Sequence, residues 1–170
     1  TSQLTFPKFW GLGTSSTLIN NIAQWIKIDA FTLLKNSFGG SGYDIACAQN
    51  NTPILYHLEN DKPIFEKVTF EPEFVKNLYF VYLDKKQNSK AAIASYYENP
   101  KNDLAKTIVK NDKITLEVLN AKNLQEFALT IEKHETEMSA ILKTETVKES
   151  LFPDFEGTVK SLGAWGGDFV

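Results

Sequence analysis

The sequence lacks the features that define several large functional classes. Cys47 is the only cysteine among 170 residues, which leaves neither a disulfide framework nor a thiolate metal cluster. The formal net charge of -3 at pH 7 gives no basic excess for binding nucleic acid or an anionic membrane surface. No apolar run is long enough to span a bilayer, so we expect a cytoplasmic protein without nucleic-acid or membrane partners.

The composition that remains is that of a globular protein. Hydrophobic residues make up 42% of the chain and aromatic residues 12%, enough for one domain or two small lobes to bury a core. Cys47 lies between Ala46 and Ala48, a setting that predicts a buried and unreactive thiol. The two histidines, His57 and His134, are isolated in the sequence, which argues against a zinc site.

Hydrophobic spacing and capping residues predict a mixture of helices and strands, an α+β class. A helix is predicted from Thr14 or Ser15. Its shared apolar face comprises Leu18, Ile22, Trp25 and Ile26. Further helices are predicted over residues 29–34, 43–48, 89–97, about 103–109 and 124–142. Strands are predicted over 54–57, 64–70, 78–83 and 158–162, with 78–83 buried, and Pro72 marks the expected lobe boundary.

Three glycine-rich loops are the most distinctive local feature. The first, Gly11–Thr17, precedes a helix whose unpaired N–H groups could bind an anion approached closely by the glycine backbone. The second, Gly39–Gly42, leads to Asp44 in the first turn of a short helix, where the dipole keeps a carboxylate ionised. The third, Gly163–Asp168, could form an anion-binding nest. The structural alternatives are a helix cap, a stabilising first-turn acid and a hairpin turn, respectively.

These loops, in this order, resemble the motifs of the GHMP superfamily of small-molecule kinases, which includes galactokinase, homoserine kinase, mevalonate kinase and phosphomevalonate kinase. The stretch Gly11-Leu12-Gly13-Thr14-Ser15-Ser16, with Pro7 before it, resembles the second motif of that family. Gly42-Tyr43-Asp44 resembles the segment that carries the catalytic aspartate, and Gly-Tyr-Asp-Ile-Ala is similar to a bacterial branch named for those five residues. The segment Lys160–Asp168 resembles the third motif, and its Gly-Gly-Asp ending is most similar to the phosphomevalonate kinase version.

The resemblance implies a role for each loop. ATP phosphates would bind Gly11, Leu12, Gly13, Thr14, Ser15 and Ser16 and, in the last loop, Gly163, Ala164, Gly166 and Gly167. Ser15 and Ser16 would also contact Mg²⁺, and Asp44 would act as the base or orienting group for the acceptor hydroxyl. The small-molecule acceptor would lie near Ser41, Gly42, Tyr43, Trp165 and Asp168.

The sequence departs from the family pattern in three places. Residues from Thr32 to Lys35 contain no carboxylate where some members carry a metal-binding Glu, so Mg²⁺ would rest on a hydroxyl and the nucleotide alone. Trp165 stands where a small residue is usual. The family's first motif, Pro-Gly-x-x-x-x-x-Gly-Glu, is missing, and we therefore expect a fragment that has little activity alone.

The resemblance also implies a two-lobe fold and a reaction. Residues 1–75 would form the latter part of the ATP-binding N-terminal domain, of the ribosomal-protein-like type, and residues 76–170 most of a ferredoxin-like C-terminal domain. The expected reaction is ATP-dependent phosphorylation of a small metabolite, with mevalonate or phosphomevalonate favoured. The alternatives are a sugar or sugar-phosphate kinase, a non-catalytic nucleotide-binding regulatory relative, and an interaction domain whose loops are only turns. A homodimer is compatible with each.

Overall fold

The computed structural model describes residues 3–84, 96–97, 104–163, 165 and 168–170. The chain divides into two compact units, Thr1–Phe70 and Glu71–Val170, here called unit 1 and unit 2. The division falls next to Pro72, where the composition of the chain suggests a boundary. None of the helices in the described ranges combines the length and the hydropathy needed to cross a membrane.

Unit 1 contains three helices followed by a β-hairpin. The helices are α1 (Thr14–Ile26), α2 (Ala30–Ser37) and α3 (Tyr43–Ala48), and the strands are β1 (Ile54–Glu59) and β2 (Lys62–Lys67). These elements confirm the predicted helices and the predicted strand pair, although β2 begins and ends earlier than residues 64–70. The hairpin turns at Asn60 and Asp61, which both have positive φ as a two-residue type I′ turn requires.

The core of unit 1 lies among its three helices. Its buried residues are Ile19, Ala23, Ala30, Leu34 and Ile45, and the partly buried Phe31 and Leu33 pack against them. Helix α2 is fixed at its start by Asp29, whose carboxylate accepts hydrogen bonds from the Thr32 N–H at 2.7 Å and the Thr32 hydroxyl at 2.8 Å. This side-chain cap satisfies donors that a helix N-terminus leaves unpaired.

The apolar face of α1 that contains Leu18, Ile22, Trp25 and Ile26 is exposed. Leu18 is 47% exposed and Trp25 84%, whereas Ile19 and Ala23 on the adjacent face are almost fully buried. Residues four apart share one side of a helix, and the small Ala23 side chain lets another helix approach closely. Helix α1 therefore has two apolar stripes, and spacing alone does not say which one packs against α2 and α3.

Unit 2 is mainly helical in its described part. Helix α4 (Leu104–Leu119) packs against α5 (Leu124–Leu142), and α6 (Val147–Leu151) follows. The bounds of α5 confirm the prediction, and α4 extends to Leu119 rather than ending near Val109. Helices α5 and α6 are capped by side chains: Asn123 accepts the Glu126 N–H at 2.9 Å, and Thr146 and Glu149 form a reciprocal capping box.

The apolar run at residues 78–83 is not the buried strand that its composition predicts. Tyr79 and Phe80 are each 79% exposed, and among the described residues the segment forms an isolated bridge, between Tyr82 and Phe169, rather than a strand. Val81 and Val170 exchange two backbone hydrogen bonds at 2.9 and 3.0 Å. A strand needs neighbours on both faces to be buried, and hydrophobic residues alone do not supply them.

Residues 158–162, which were predicted to form a strand, do not form one. The Leu162 N–H nevertheless donates a hydrogen bond to the Phe169 oxygen at 3.1 Å. Residues 89–95 of the predicted helix 89–97 lie outside the described part of the chain. Within that part, helices and one two-stranded antiparallel sheet confirm the α+β class. The two-lobe kinase fold remains a prediction.

Candidate functional site

The first glycine-rich loop ends directly at the N-terminus of α1. Gly11 and Gly13 have φ of 73° and 65°, in the left-handed region that favours glycine, and Gly13 is the N-cap residue. A Cβ built on Gly13 would meet no atom within 4 Å, so there is open space beside the backbone. The loop therefore leaves open space beside the start of a 13-residue helix.

Side chains leave the first turn of α1 uncapped. Among the described residues, none supplies a side-chain cap to α1, whereas Asp29, Asn123 and Thr146 cap three other helices. The Thr17 hydroxyl donates a hydrogen bond to the Gly13 oxygen at 3.1 Å, so its proton is already bonded within the helix. Ser15 is exposed and Ser16 half-buried. The first-turn N–H groups and these two hydroxyls form a donor set of the kind that binds a phosphate.

The second motif places Asp44 on the outer side of a short helix. Ile45 and Ala46 are fully buried and hold α3 in the core, while Asp44 is exposed in the first turn. An exposed carboxylate on an anchored helix can contact a ligand without any rearrangement of the core. Cys47, expected to be buried, is exposed, because the buried face of α3 is formed by Ile45 and Ala46.

Tyr43 and Cys47 interact along the exposed side of α3. They are four residues apart and therefore share one face of the helix. Burial, followed by a hydrogen bond with Cys47, raises the pKa of Tyr43 to about 12. Burial likewise raises the pKa of the Cys47 thiol, against the opposing effect of the hydrogen bond with Tyr43. Both groups are consequently neutral at pH 7, and Cys47 is not an activated thiolate.

The loop before α3 is held in place by two aromatic side chains. Gly42 is buried with φ of 83°, and a Cβ at this position would lie 2.8 Å from Cδ1 of Phe31. The hydroxyl of Tyr56, in β1, donates a hydrogen bond to the backbone oxygen of Ser41. The Ser41 hydroxyl oxygen accepts the Tyr43 N–H at 3.3 Å. Only glycine fits between Phe31 and the helix start, which explains its presence before Asp44.

The first two motifs belong to the same unit, and the helices that carry them pack together. Helices α1 and α3 contribute Ile19 and Ile45 to one core. The Gln49 amide, at the end of α3, donates a hydrogen bond to the Asn20 side-chain oxygen at 3.1 Å. Asn20 is buried, so this bond satisfies a polar group inside the helix contact.

The third motif belongs to unit 2 and is described only in part. Gly163, Trp165 and Asp168 have positive φ of 66°, 56° and 56°. The Trp165 ring lies 6.4 Å from the Tyr96 ring between centroids. Ala164, Gly166 and Gly167, expected to contact phosphates, lie outside the described residues. The bond from the Leu162 N–H to the Phe169 oxygen brings the two ends of the motif together, as a turn would.

A buried carboxylate on α5 anchors the segment that leads into the third motif. Glu135 is 7% exposed, and its oxygens accept the Lys160 ammonium at 2.8 Å and the Ser161 N–H at 3.1 Å. Burial raises the pKa of Glu135. The nearby His134, with the Lys160 and Ser161 hydrogen bonds, lowers it by more, so the pKa lies below the ordinary value. His134 Nδ1 lies 3.6 Å from Glu135 Oε1, and within the described part of the chain it has no hydrogen-bond partner.

Comparison with known proteins gives no relative for this chain. No protein-family model, curated protein or solved structure matches it. The GHMP resemblance therefore rests on the three motifs themselves. Among the described residues, no group of three or more His, Cys, Asp or Glu side chains is placed to hold a metal ion. Mg²⁺ commonly binds through substrate phosphates and water, so the hydroxyls of Ser15 and Ser16 remain its candidate protein ligands.

Tyr56 and Phe31 were not singled out from the sequence as site residues. Tyr56 was assigned only to a strand and Phe31 only to a helix. A partly buried tyrosine usually finds a hydrogen-bond partner for its hydroxyl, and that rule could have marked Tyr56. Its partner, the Ser41 oxygen, could not have been named, because the two residues are 15 apart and meet only through the tertiary fold.

Proposed function

We propose that this chain carries the phosphate-binding and catalytic residues of an ATP-dependent small-molecule kinase. The observation that supports the proposal most strongly is the start of α1, where two left-handed glycines lead into a helix without a side-chain cap. In α2, α5 and α6, an Asp, Asn or Thr side chain fills the same position, whereas α3, like α1, begins at a left-handed glycine without a side-chain cap. A bound phosphate would satisfy the first-turn N–H groups of α1 and gain from the helix dipole.

The proposed reaction transfers the γ-phosphoryl group of ATP to a hydroxyl or phosphate of a small metabolite. The N–H groups of the first turn and the Ser15 and Ser16 hydroxyls would bind phosphate oxygens. Asp44 would orient the acceptor hydroxyl and accept its proton as the new P–O bond forms. Mg²⁺, when bound, would neutralise charge on the phosphates. Mevalonate or phosphomevalonate is the favoured acceptor class, with a sugar or sugar phosphate as the alternative.

Asp44 suits this role because it is exposed yet rigidly supported. The buried Ile45 and Ala46 fix the helix beside it, so the carboxylate can meet a ligand in a defined position. Phosphoryl transfer depends mainly on positioning and electrostatics, which makes a supported carboxylate more effective than one in a mobile loop. The chain contains no arginine. The negatively charged phosphate oxygens would therefore be bound by backbone N–H groups, lysine and the metal ion.

The test uses the full-length protein, with ATP·Mg²⁺ affinity measured by calorimetry and turnover measured on a panel of acceptors. The panel contains mevalonate, phosphomevalonate, sugars and sugar phosphates. We expect Asp44→Asn to lower kcat by about 10²- to 10⁴-fold while ATP affinity stays within about threefold. Asp61→Asn is the matched control, because Asp61 is exposed in the hairpin turn and Asn tolerates its positive φ. Undiminished turnover by Asp44→Asn would contradict the catalytic role.

Two other functions give different results in the same experiment. ATP binding without turnover on any acceptor would favour a non-catalytic nucleotide-binding relative. Absence of nucleotide binding would favour an interaction domain, a candidate supported by the exposed apolar face of α1. That face contains Leu18, Ile22, Trp25 and Ile26, and α1 itself has no charged residue. Exposed apolar and aromatic surface with little charge is typical of protein interfaces.

A further inference from the structure

The hydroxyl of Tyr56 joins the β-hairpin of unit 1 to the loop that precedes Asp44. Tyr56 lies in β1 opposite Phe65 and is partly buried. Its hydroxyl donates to the Ser41 oxygen, and its ring meets the Tyr43 ring edge-on with 5.5 Å between centroids. Burial raises the pKa of Tyr56, so the hydroxyl keeps the proton that it donates. One side chain from the sheet therefore contacts residues on both sides of Gly42.

Two further hydrogen bonds and one ring contact restrain the same loop. The Tyr43 N–H donates to the Ser41 hydroxyl oxygen at 3.3 Å, and the Ala46 N–H donates to the Gly42 oxygen at 3.0 Å. The Phe31 ring occupies the space beside the Gly42 Cα. The Ser41 carbonyl thus accepts a hydrogen bond from Tyr56 in the sheet, and the Ser41 hydroxyl oxygen accepts one from the first residue of α3. The direction in which α3 leaves the loop depends on this residue.

We propose that Tyr56 is a positioning residue that sets the place of Asp44 through the Ser41 carbonyl. Asp44 follows Ser41 by three residues and is carried by the first turn of a six-residue helix. Without the hydroxyl, the Ser41 carbonyl loses its tie to the sheet, and the first turn of α3 can shift or fray. The catalytic consequence of this inference rests on the proposed kinase function, whereas the positional claim does not.

Tyr56→Phe is the informative variant because it removes the hydroxyl and keeps the ring that contacts Tyr43. Two measurements are made on the full-length protein: amide hydrogen exchange of residues 42–44 by NMR, and steady-state kinetics with ATP and the best acceptor. We expect exchange of the Tyr43 N–H to accelerate about tenfold or more. We expect kcat to fall by about 10- to 100-fold, the size of effect that a small misplacement causes, with KM for ATP within about twofold.

Ile64→Ala is the control for a general loss of stability. Ile64 lies in β2 opposite His57, so its truncation weakens the same hairpin without removing the Tyr56 hydroxyl. In this variant, the exchange rate of the Tyr43 N–H and kcat should both stay close to the wild-type values. A Tyr79→Phe variant, at a 79% exposed site, controls for the loss of a hydroxyl as such.

Each outcome separates the inference from the proposed function. Unchanged exchange at residues 42–44 in Tyr56→Phe overturns the inference, whatever the activity. Faster exchange with an unchanged kcat, in a protein whose kcat does fall with Asp44→Asn, also overturns it, since catalysis by Asp44 would then not depend on Tyr56. Faster exchange in Tyr56→Phe, together with a wild-type protein that phosphorylates no acceptor, supports the positional claim and overturns the kinase proposal. An equal fall of kcat in Ile64→Ala would show that Tyr56 acts through stability alone.

Discussion

The half-buried Lys160 and the buried Glu135 form an ion pair, with the ammonium nitrogen 2.8 Å from a carboxylate oxygen. The second carboxylate oxygen accepts the Ser161 N–H at 3.1 Å. Lys160 and Glu135 are 25 positions apart in the sequence. Their contact therefore attaches the segment before Gly163 to helix α5. Burying a charge is costly unless it is paired and hydrogen-bonded, and here it is both.

The stability of the protein should fall in acid through Glu135. Its pKa is lower in the folded chain than in the unfolded chain, so the contribution is complete above the ordinary Glu pKa and is lost as pH falls through the folded value. Urea unfolding at pH 6, 5, 4 and 3 should show a steeper loss for wild type than for Glu135→Gln. Glu156→Gln, at an exposed site in the same unit, should keep the wild-type slope. Equal slopes for wild type and Glu135→Gln would contradict this.

Alanine should be tolerated much less at Gly42 than at Gly39. Both glycines have positive φ, but a Cβ on Gly42 would meet Phe31 at 2.8 Å, while a Cβ on Gly39 would meet nothing within 4 Å. We expect Gly39→Ala to lower the free energy of unfolding by about 1–2 kcal/mol from backbone strain, and Gly42→Ala by about 2–4 kcal/mol from strain plus overpacking. Denaturant melts of the two variants measure the difference, and equal losses would rule out the contact with Phe31.

The same substitution on two faces of α1 should have different costs. Ile19 is 5% exposed and packs in the core of unit 1, whereas Ile22 is 37% exposed. We expect Ile19→Ala to lower the free energy of unfolding by about 2–5 kcal/mol, and Ile22→Ala by less than about 1 kcal/mol. Chemical denaturation followed by circular dichroism measures both. A larger loss for Ile22→Ala would mean that the face of α1 containing Ile22 is the buried one.

Removal of the Ser15 and Ser16 hydroxyls should weaken nucleotide binding without destabilising α1. Neither hydroxyl caps the helix, so the double change to Ala should alter the free energy of unfolding by no more than about 0.5 kcal/mol. If these hydroxyls contact ATP·Mg²⁺, its affinity, measured by calorimetry, should fall about tenfold, equivalent to about 1.4 kcal/mol. Ser37→Ala is the control, since that hydroxyl donates to the Leu33 oxygen at 2.6 Å inside α2. Unchanged affinity would remove both serines from the proposed site.

The sequence predicted local structure well where the signal was local. The bounds of α3 and α5 and the presence of the β1–β2 hairpin follow from capping residues, apolar spacing and turn residues within a few positions. The burial of residues 78–83 and of Cys47 was predicted wrongly. Burial depends on which surface another element covers, and neither an apolar run nor alanine neighbours contain that information.

For the candidate site, the sequence alone determined which residues stand beside flexible glycines and at helix starts. It could therefore name Gly13, Ser15 and Asp44 before any coordinates, because caps, glycines and first-turn acids act over a few residues. Only the tertiary structure decided which face of α1 is buried, that Tyr56 holds Ser41, and that Glu135 holds Lys160. These contacts join residues far apart in the chain, and their partners are selected by the packing of whole helices and strands.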